Sequence, residues 1–309
     1  MKYLPKINQL KVFQAVIKYG SIRAASRALN QSQPALTRSL KELEASLGAT
    51  LIIRGIRGIE LTEAGRLFAV RMEIILRELQ KATEELQYVN EQAESNLRIG
   101  CSSLILLTIY PKILAEFKKY HPKASLLLKE GQLSSLMPEL RENKLDFAIG
   151  SVSENIPLFD FIEEPLFKAS FTILCRKGHK LEHCTHLEQL KDANWLVPAT
   201  DMGYYQQLQQ FLDNSHTQLA STPLSTDSVI CGLNLVLNSD YLIIIAKSMS
   251  KPLMLGEHFA EIILTTSLPC ATYSLIYPRN IPLTLTANRM IKILRWHCQK
   301  TNWNKVYQS

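Results

Sequence analysis

The chain has 309 residues, 46% hydrophobic and 20% charged, with only 12 Gly and 13 Pro, which excludes a disordered or low-complexity protein and exceeds what one compact core usually holds. Its formal net charge is +7, and all of that excess lies in residues 1–60, where ten Lys or Arg face three Glu while the rest of the chain balances 25 basic against 25 acidic groups. A basic head on a neutral body is the pattern of a polyanion-binding module joined to something else. No run of about 18 apolar residues occurs, so no membrane span is expected. The start, MKYLPKINQLKVFQ, carries no apolar signal core. Six cysteines (Cys101, Cys175, Cys184, Cys231, Cys270, Cys298) lack paired spacing, which fits reduced thiols in a cytoplasm.

In chain order, Ile7, Leu10, Phe13, Val16 and Ile17 form the apolar stripe of a first helix ending at Gly20. Ser21 can cap a second, with a small apolar face of Ile22, Ala25, Ala28 and Leu29. After a break at Asn30, Gln31 and Ser32, Ser32 caps a third helix with Pro34 in its first turn, where a missing N–H costs nothing. Leu36, Leu40, Leu43 and Leu47 then share a buried stripe, leaving Pro34, Thr37, Arg38 and Lys41 outward with Gln33 at the leading end. Such a face can donate to base edges and phosphates in a major groove, as in a helix-turn-helix. From spacing alone, an ordinary pair of packed amphipathic helices remains the competing reading.

LIIRGIRGIELT (51–62) reads as a β-hairpin wing that puts Arg54 and Arg57 beside a phosphate backbone. Thr62 can cap a further helix. From Arg66 to Leu97 there is neither Pro nor Gly, and Leu67, Phe68, Ile74, Ile75, Leu79 and Leu86 need cover, most simply a partner helix.

From residue 97 the pattern becomes α/β. LRIGC (97–101), SLLLKE (125–130) and LDFAIG (145–150) read as strands, with helices in LTIYPKILAEFKKY and LSSLMPELREN. A second set follows: FKASFTILCR as a strand, YYQQLQQFLD and SVICGLNLVLN as helices, and YLIIIA as a strand. ATYSLIY and a last helix, TLTANRMIKILRWHCQK, finish the chain. Ligands in α/β folds sit beyond the carboxyl ends of strands. That points to Ser102 and Ser103; to Gly131, Gln132 and Ser134; to Met202, Gly203, Tyr204 and Tyr205; and to Thr226, Asp227 and Ser228. These turns suit a small anion, most simply a carboxylate, with Tyr204 or Tyr205 as an aromatic wall. Each Ser or Thr is equally readable as a helix cap.

His179, His183, Cys184 and His186 cluster without the spacing of a closed zinc site, so neither metal nor cofactor is expected. No GxSxG, HExxH or phosphate-cradling Gly loop occurs, which argues against an enzyme.

GSIRAASRALNQSQPALTRSLKELEASLGATLIIR followed by LTEAG resembles the winged helix-turn-helix of the LysR-type transcriptional regulators over the first 66 residues. Ile53 stands where the family usually has Phe, and LNSDYL (237–242) where many relatives have a Gly-rich turn. The resemblance implies a winged helix-turn-helix (1–61), a dimerising linker helix (62–94) and a two-lobed, periplasmic-binding-protein-like α/β effector domain. Lobe I would comprise 95–164 and 267–309, and lobe II 165–266, with crossovers near 162–167 and 264–270. It further implies that Gln33, Thr37 and Arg38 read bases while Lys41, Arg54 and Arg57 hold the backbone, beside Ser32 and Pro34. The implied partners are double-stranded promoter DNA with an interrupted inverted repeat, a second copy of the chain in a homodimer or homotetramer, RNA polymerase and a small-molecule effector. GQLSSLMPELRENKLDFAIG, MGYYQQL and TDSVICGLNLVLNSDYL are similar to members governing threonine degradation and aminobenzoyl-glutamate use, which implies an amino-acid-derived or carboxylate effector. The alternative is a small-molecule-binding protein or enzyme whose basic N-terminal domain serves only assembly.

Overall fold

The computed structural model describes residues 4–55, 58–89, 96–152, 158–197, 223–249 and 258–303. The chain divides into two compact units, Met1–Ala93 and Glu94–Ser309, and each is described by itself.

In the first unit, helices α1 (Ile7–Tyr19), α2 (Ile22–Ala28) and α3 (Gln33–Leu47) surround one core. Leu10, Val12, Phe13, Ala15 and Val16 of α1 meet Ala25, Leu36, Leu40, Leu43, Leu51 and Met72 there. The caps are those the hydroxyls announce: Ser21 Oγ accepts from Ala24 N–H at 3.1 Å and Ser32 Oγ from Ala35 N–H at 3.4 Å. Asn30 turns the chain between α2 and α3 at φ 52°, a left-handed conformation that its short amide tolerates. Two residues of the expected stripes are exposed, Ile7 at the start of α1 and Ala28 at the end of α2. Periodicity gives the direction of a face and not how far along the helix its cover extends.

Strands β1 (Ile52–Gly55) and β2 (Gly58–Leu61) form the antiparallel wing, pairing Ile52 with Leu61 and Gly55 with Gly58. The wing is fastened at both ends. The Glu44 carboxylate on α3 accepts the N–H groups of Leu51 and Ile52 at 2.7 and 3.2 Å. Ile59 N–H donates to the Gly20 carbonyl at 3.2 Å. A Cβ on Gly58, which sits at φ +117°, would lie 3.0 Å from that same oxygen. Ile53, the departure from Phe, is exposed and leaves the core undisturbed.

Helix α4 (Glu63–Val89) is capped by Thr62, whose hydroxyl accepts from Gly65 N–H at 2.9 Å and donates to the Thr50 carbonyl at 2.7 Å. Phe68, Met72, Ile75, Leu79 and Leu86 recur at helical spacing on one stripe. The head covers its first half: Phe68 packs on Phe13 with ring centroids 5.8 Å apart, and Met72 is fully buried. Beyond the head the stripe runs on bare, with Ile75, Leu79 and Leu86 at 51, 42 and 68% exposure.

The second unit holds, among the described residues, two five-stranded mixed sheets. Elements β3 (Asn96–Cys101), β4 (Ser125–Glu130), β5 (Phe147–Ser151), β6 (Phe161–Ala169) and β12 (Ala271–Pro278) make the first, in the order β4-β3-β5-β12-β6. The second runs β11 (Phe259–Ile262), β7 (Phe171–Arg176), β10 (Tyr241–Ala246), β8 (Asn194–Val197), β9 (Leu224–Ser225). Helices α5 (Ser103–Thr108), α6 (Tyr110–Tyr120), α7 (Leu133–Arg141) and α9 (Leu285–Lys300) accompany the first sheet, and α8 (Val229–Leu237) the second.

Two expected elements are divided. FKASFTILCR is not one strand: β6 ends at Ala169 in the first sheet and β7 begins at Phe171 in the second, so the chain changes sheets at Ser170, whose carbonyl accepts from Lys247 N–H at 2.9 Å. LTIYPKILAEFKKY is two helices meeting at Ile109, because Pro111 falls in the first turn of α6 and belongs to a helix start. The expected helix YYQQLQQFLD lies outside the described residues. At the chain's far end, Trp303 Nε1 donates to the Cys298 carbonyl at 2.9 Å and stacks on Phe167, which stacks in turn on Tyr273.

Gly65 gives a test of sign. Helix propensity alone makes Gly65→Ala stabilising by about 1 kcal/mol, but the added Cβ would sit 2.0 Å from the Leu51 carbonyl oxygen, an atom that cannot rotate away. The clash should win, with a net loss of about 1–3 kcal/mol in the first urea-unfolding transition followed by circular dichroism. A gain would show that α4 does not approach the wing so closely.

Candidate nucleic-acid interface and ligand cavity

The outward side of α3 presents Gln33, Pro34, Arg38 and Lys41 to solvent, with Thr37 half-buried. Together with Glu42 and Ala45 they line one shallow concave surface. No acidic residue occupies the first turn of α3, so its positive end is left for an outside anion. Thr37 donates to the Gln33 carbonyl at 2.9 Å and keeps its lone pairs free to accept. Arg38 reaches Glu42 at 3.8 Å with both side chains exposed, a pair worth well under ~1 kcal/mol and easily exchanged for a phosphate. Glu44 is turned into the wing, which removes its charge from this surface. Ser32 caps the helix. Arg54 stands on β1 opposite Ile59, and Arg57 lies outside the described residues.

A cavity of about 60 Å³ lies in the second unit, lined by residues of both sheets and their helices. Ser102, Ser103 and Gln132 line it from the α5 and α7 starts, and Thr226 and Ser228 from the turn before α8. Five of the nine residues expected at a ligand therefore converge. Ser134 is not on the lining, and Gly203, Tyr204 and Tyr205 lie outside the described residues. Asp227, Ser151, Phe171, Met249, Tyr273 and the apolar run of β10 complete much of the wall. Sequence reasoning missed Phe171, Met249 and Tyr273, because an apolar or aromatic side chain in a strand reads as core until the sheets are placed.

The hydroxyls differ in how they are engaged. Ser102 is 8% exposed and its Oγ has no hydrogen-bond partner, while its N–H donates to the Ile149 carbonyl at 2.9 Å. A buried hydroxyl left unpaired costs free energy and marks a place where a guest can repay it. Ser228 Oγ accepts from Cys231 N–H at 3.2 Å and Thr226 Oγ1 from Ser228 N–H at 3.2 Å, so both keep a proton to donate. Ser103 Oγ donates to Glu130 at 2.5 Å and keeps lone pairs to accept.

Nothing described suggests covalent chemistry. Burial pushes the thiols of Cys175 and Cys298 up to about 11 and about 12 and that of Cys101 further, away from thiolate reactivity. Among the described residues no three His, Cys, Asp or Glu side chains are placed to share a metal ion. His179 is buried, its Nδ1 accepts from Leu181 N–H at 3.1 Å, and burial lowers its pKa against the opposing pull of Asp240. His186 Nδ1 lies 2.9 Å from the Thr185 hydroxyl. No described helix is long and apolar enough to cross a membrane.

Comparison with known proteins identifies the family. Residues 7–66 match the family model of the bacterial regulatory helix-turn-helix proteins, lysR family, and residues 90–299 match the LysR substrate binding domain. The HTH-type transcriptional regulator TdcA of Escherichia coli is 35% identical over 292 residues, covering 94% of this chain and 93% of that protein. Full-length CbnR complexed with its target DNA has the same fold at TM-score 0.70 and 18% identity, over 94% of this chain and 99% of that one. A full-length OxyR variant from Pseudomonas aeruginosa shares it at TM-score 0.65 and 16% identity, over 99% and 100% of the two chains. The chain belongs to the lysR family: it is a DNA-binding transcriptional regulator with an effector-binding domain, and not an enzyme.

Proposed function

We propose that this regulator works as a homodimer, or a pair of dimers, that reads an interrupted inverted repeat in promoter DNA and is switched by a small metabolite in the body cavity. Residues 1–61 are the reading head and 62–94 the pairing helix. Residues 95–164 with 267–309, and 165–266, are the lobes of the effector domain. The observation that carries the switching half is the unpartnered, nine-tenths-buried Ser102 hydroxyl in a cavity lined from both sheets. A water-sized probe occupies roughly 10–15 Å³, so the cavity holds about four to six waters, the bulk of a three- or four-carbon metabolite.

The mechanism is linkage. A ligand that touches both lobes stabilises the arrangement in which both can reach it, and it shifts DNA-bound assemblies only as far as it binds one better than another. Lys41, Arg54 and Arg57 supply salt-dependent backbone affinity, and Gln33, Thr37 and Arg38 read base edges. The assembly acts in the cytoplasm, on the nucleoid, and meets RNA polymerase at the promoter. TdcA, related over nearly its whole length, supports a regulator of this general kind.

Sequencing of genomic fragments captured by the purified protein at near-physiological salt tests the reading. Fragments sharing an interrupted inverted repeat are expected, and uniform, salt-sensitive recovery would reduce the head to a nonspecific basic surface. Gln33→Ala should lose about 1–3 kcal/mol of discrimination between specific and random DNA. Lys41→Ala and Arg54→Ala should weaken both equally and lower the salt slope by about 1 each. Equal weakening of both DNAs by Gln33→Ala would remove it from the base-reading set. In light scattering, Ile75→Glu with Leu79→Glu should convert the assembly to a smaller species with helical content retained. An unchanged mass would place the pairing surface elsewhere.

A further inference from the structure

The body balances its charges overall, but not along the pair of contacting helices α6 and α9. Together these two carry seven Lys or Arg and a single acid, Glu116, whereas residues 61–309 are neutral as a whole. Glu116 is engaged at the seam between them, 3.0 Å from His297 Nε2. Two of the seven cations are engaged too: Arg295 meets both oxygens of Glu164, and Lys118 donates to the Ala124 carbonyl at 2.6 Å. The other five, Lys112, Lys119, Arg289, Lys292 and Lys300, are exposed and form no ion pair with a described acid. On α9 the positions 289, 292, 296 and 300 share one stripe. Two exposed rings stand among these cations, and each is already covered by one of them. The Arg289 guanidinium lies 4.2 Å from the centroid of Tyr120, across the seam, and Lys300 Nζ lies 4.1 Å from that of Trp296. Rings covered in this way are not free to enter a partner's pocket, as aromatic anchors of protein interfaces do. What they do is seat two charged heads, so less side-chain freedom is lost when an anion arrives.

We propose that the α6–α9 face is a second, sequence-independent DNA contact, laid against the phosphates of duplex that flanks the site read by the head. Its charge complements a polyanion whose charges repeat along a line. From Arg289 to Lys300 the ridge runs about 16 Å, a length over which one DNA strand carries about five phosphates. Duplex is also the polyanion that this body meets most often. It is joined covalently to a head that binds DNA, so the flank reaches it at an effective concentration set by the connecting helix and not by the solution. The face reads no bases, since lysines and a ring-seated guanidinium supply charge and register on the backbone. It adds affinity and salt dependence that only a long enough duplex can draw on.

Anisotropy titrations of the full chain between about 50 and about 200 mM salt test this. Two labelled duplexes serve as probes: the shortest genomic fragment that the chain still binds, and the same fragment extended by roughly 30 base pairs on each side, far longer than the ridge. The triple variant Arg289→Gln, Lys292→Gln, Lys300→Gln should bind the short duplex as the unmodified chain does, which also shows that its head is intact. On the extended duplex it should bind more weakly, with a salt slope shallower by about 3 per engaged chain. The exchange Arg289→Lys, Lys292→Arg, Lys300→Arg keeps every charge and should keep the slope. Equal behaviour of the triple variant and the unmodified chain on the extended duplex overturns the proposal. So does an equal loss on both lengths, or a loss of slope in the charge-preserving exchange. An unmodified chain whose affinity and slope are indifferent to the extension overturns it as well, and hands the face to an acidic protein surface.

Discussion

The head is organised by one carboxylate. Glu44 projects from α3 and accepts the N–H groups of Leu51 and Ile52 with the same oxygen, so the wing starts at a fixed place relative to that helix. Charge-assisted bonds of this kind are roughly twice as strong as neutral ones. Leu51 then serves as the hub: its N–H is held by Glu44, its carbonyl accepts from Thr62 N–H at 3.0 Å, and Gly65 of α4 packs against that same oxygen. Helix, wing and long helix are thereby fixed by two hydrogen bonds and one close contact around one residue. The arrangement also settles charge, since an acid that would repel phosphate is consumed inside the fold.

Helix α4 carries the same economy outward. With 27 residues it spans about 40 Å, and its apolar stripe is longer than anything the head can bury against it. Phe68 and Met72 repay their burial in the head core, whereas Ile75, Leu79 and Leu86 repay nothing as they stand. At about 25 cal/mol per Å² of apolar area removed from water, covering three such side chains is worth several kcal/mol, which is what the proposed pairing with a second copy would gain. The continuity of the stripe from covered to bare is what distinguishes it from scattered surface leucines.

How much was legible in the sequence follows from where the signal is local. The head's caps are hydroxyls bonding a backbone N–H three residues on, so Ser21, Ser32 and Thr62 announced their helices correctly. The buried leucines of α3 followed from spacing. The position of the wing did not, because the Glu44 bonds join residues seven and eight apart by a side chain that spacing treats as solvent-facing. In the body, FKASFTILCR has the hydrophobicity of one strand, and its division at Ser170 depends on which sheet receives each half. The short strands β8, β9 and β11 are too brief to stand out from their neighbours. The cavity's hydroxyls were legible because strand-to-helix turns are their place, while Tyr273, Phe171 and Met249 were indistinguishable from core.

That asymmetry bears on how the cavity is coupled to the rest of the fold. Tyr273, on its wall, stacks on Phe167 of β6, and Phe167 stacks on Trp303 just beyond α9. Ser170, at the sheet crossing three residues after Phe167, has a buried hydroxyl without a partner, as does Ser248 beside Met249 of the cavity wall. Two buried hydroxyls near the crossing are thus without a partner, and each costs free energy where it stands. On the proposed reading, a guest that supplies hydrogen bonds to both sheets would act beside these unpartnered hydroxyls. Stacked aromatic packing around Phe167 ties the cavity wall at Tyr273 to Trp303 at the far end of the chain, a close-packed contact that resists gradual deformation.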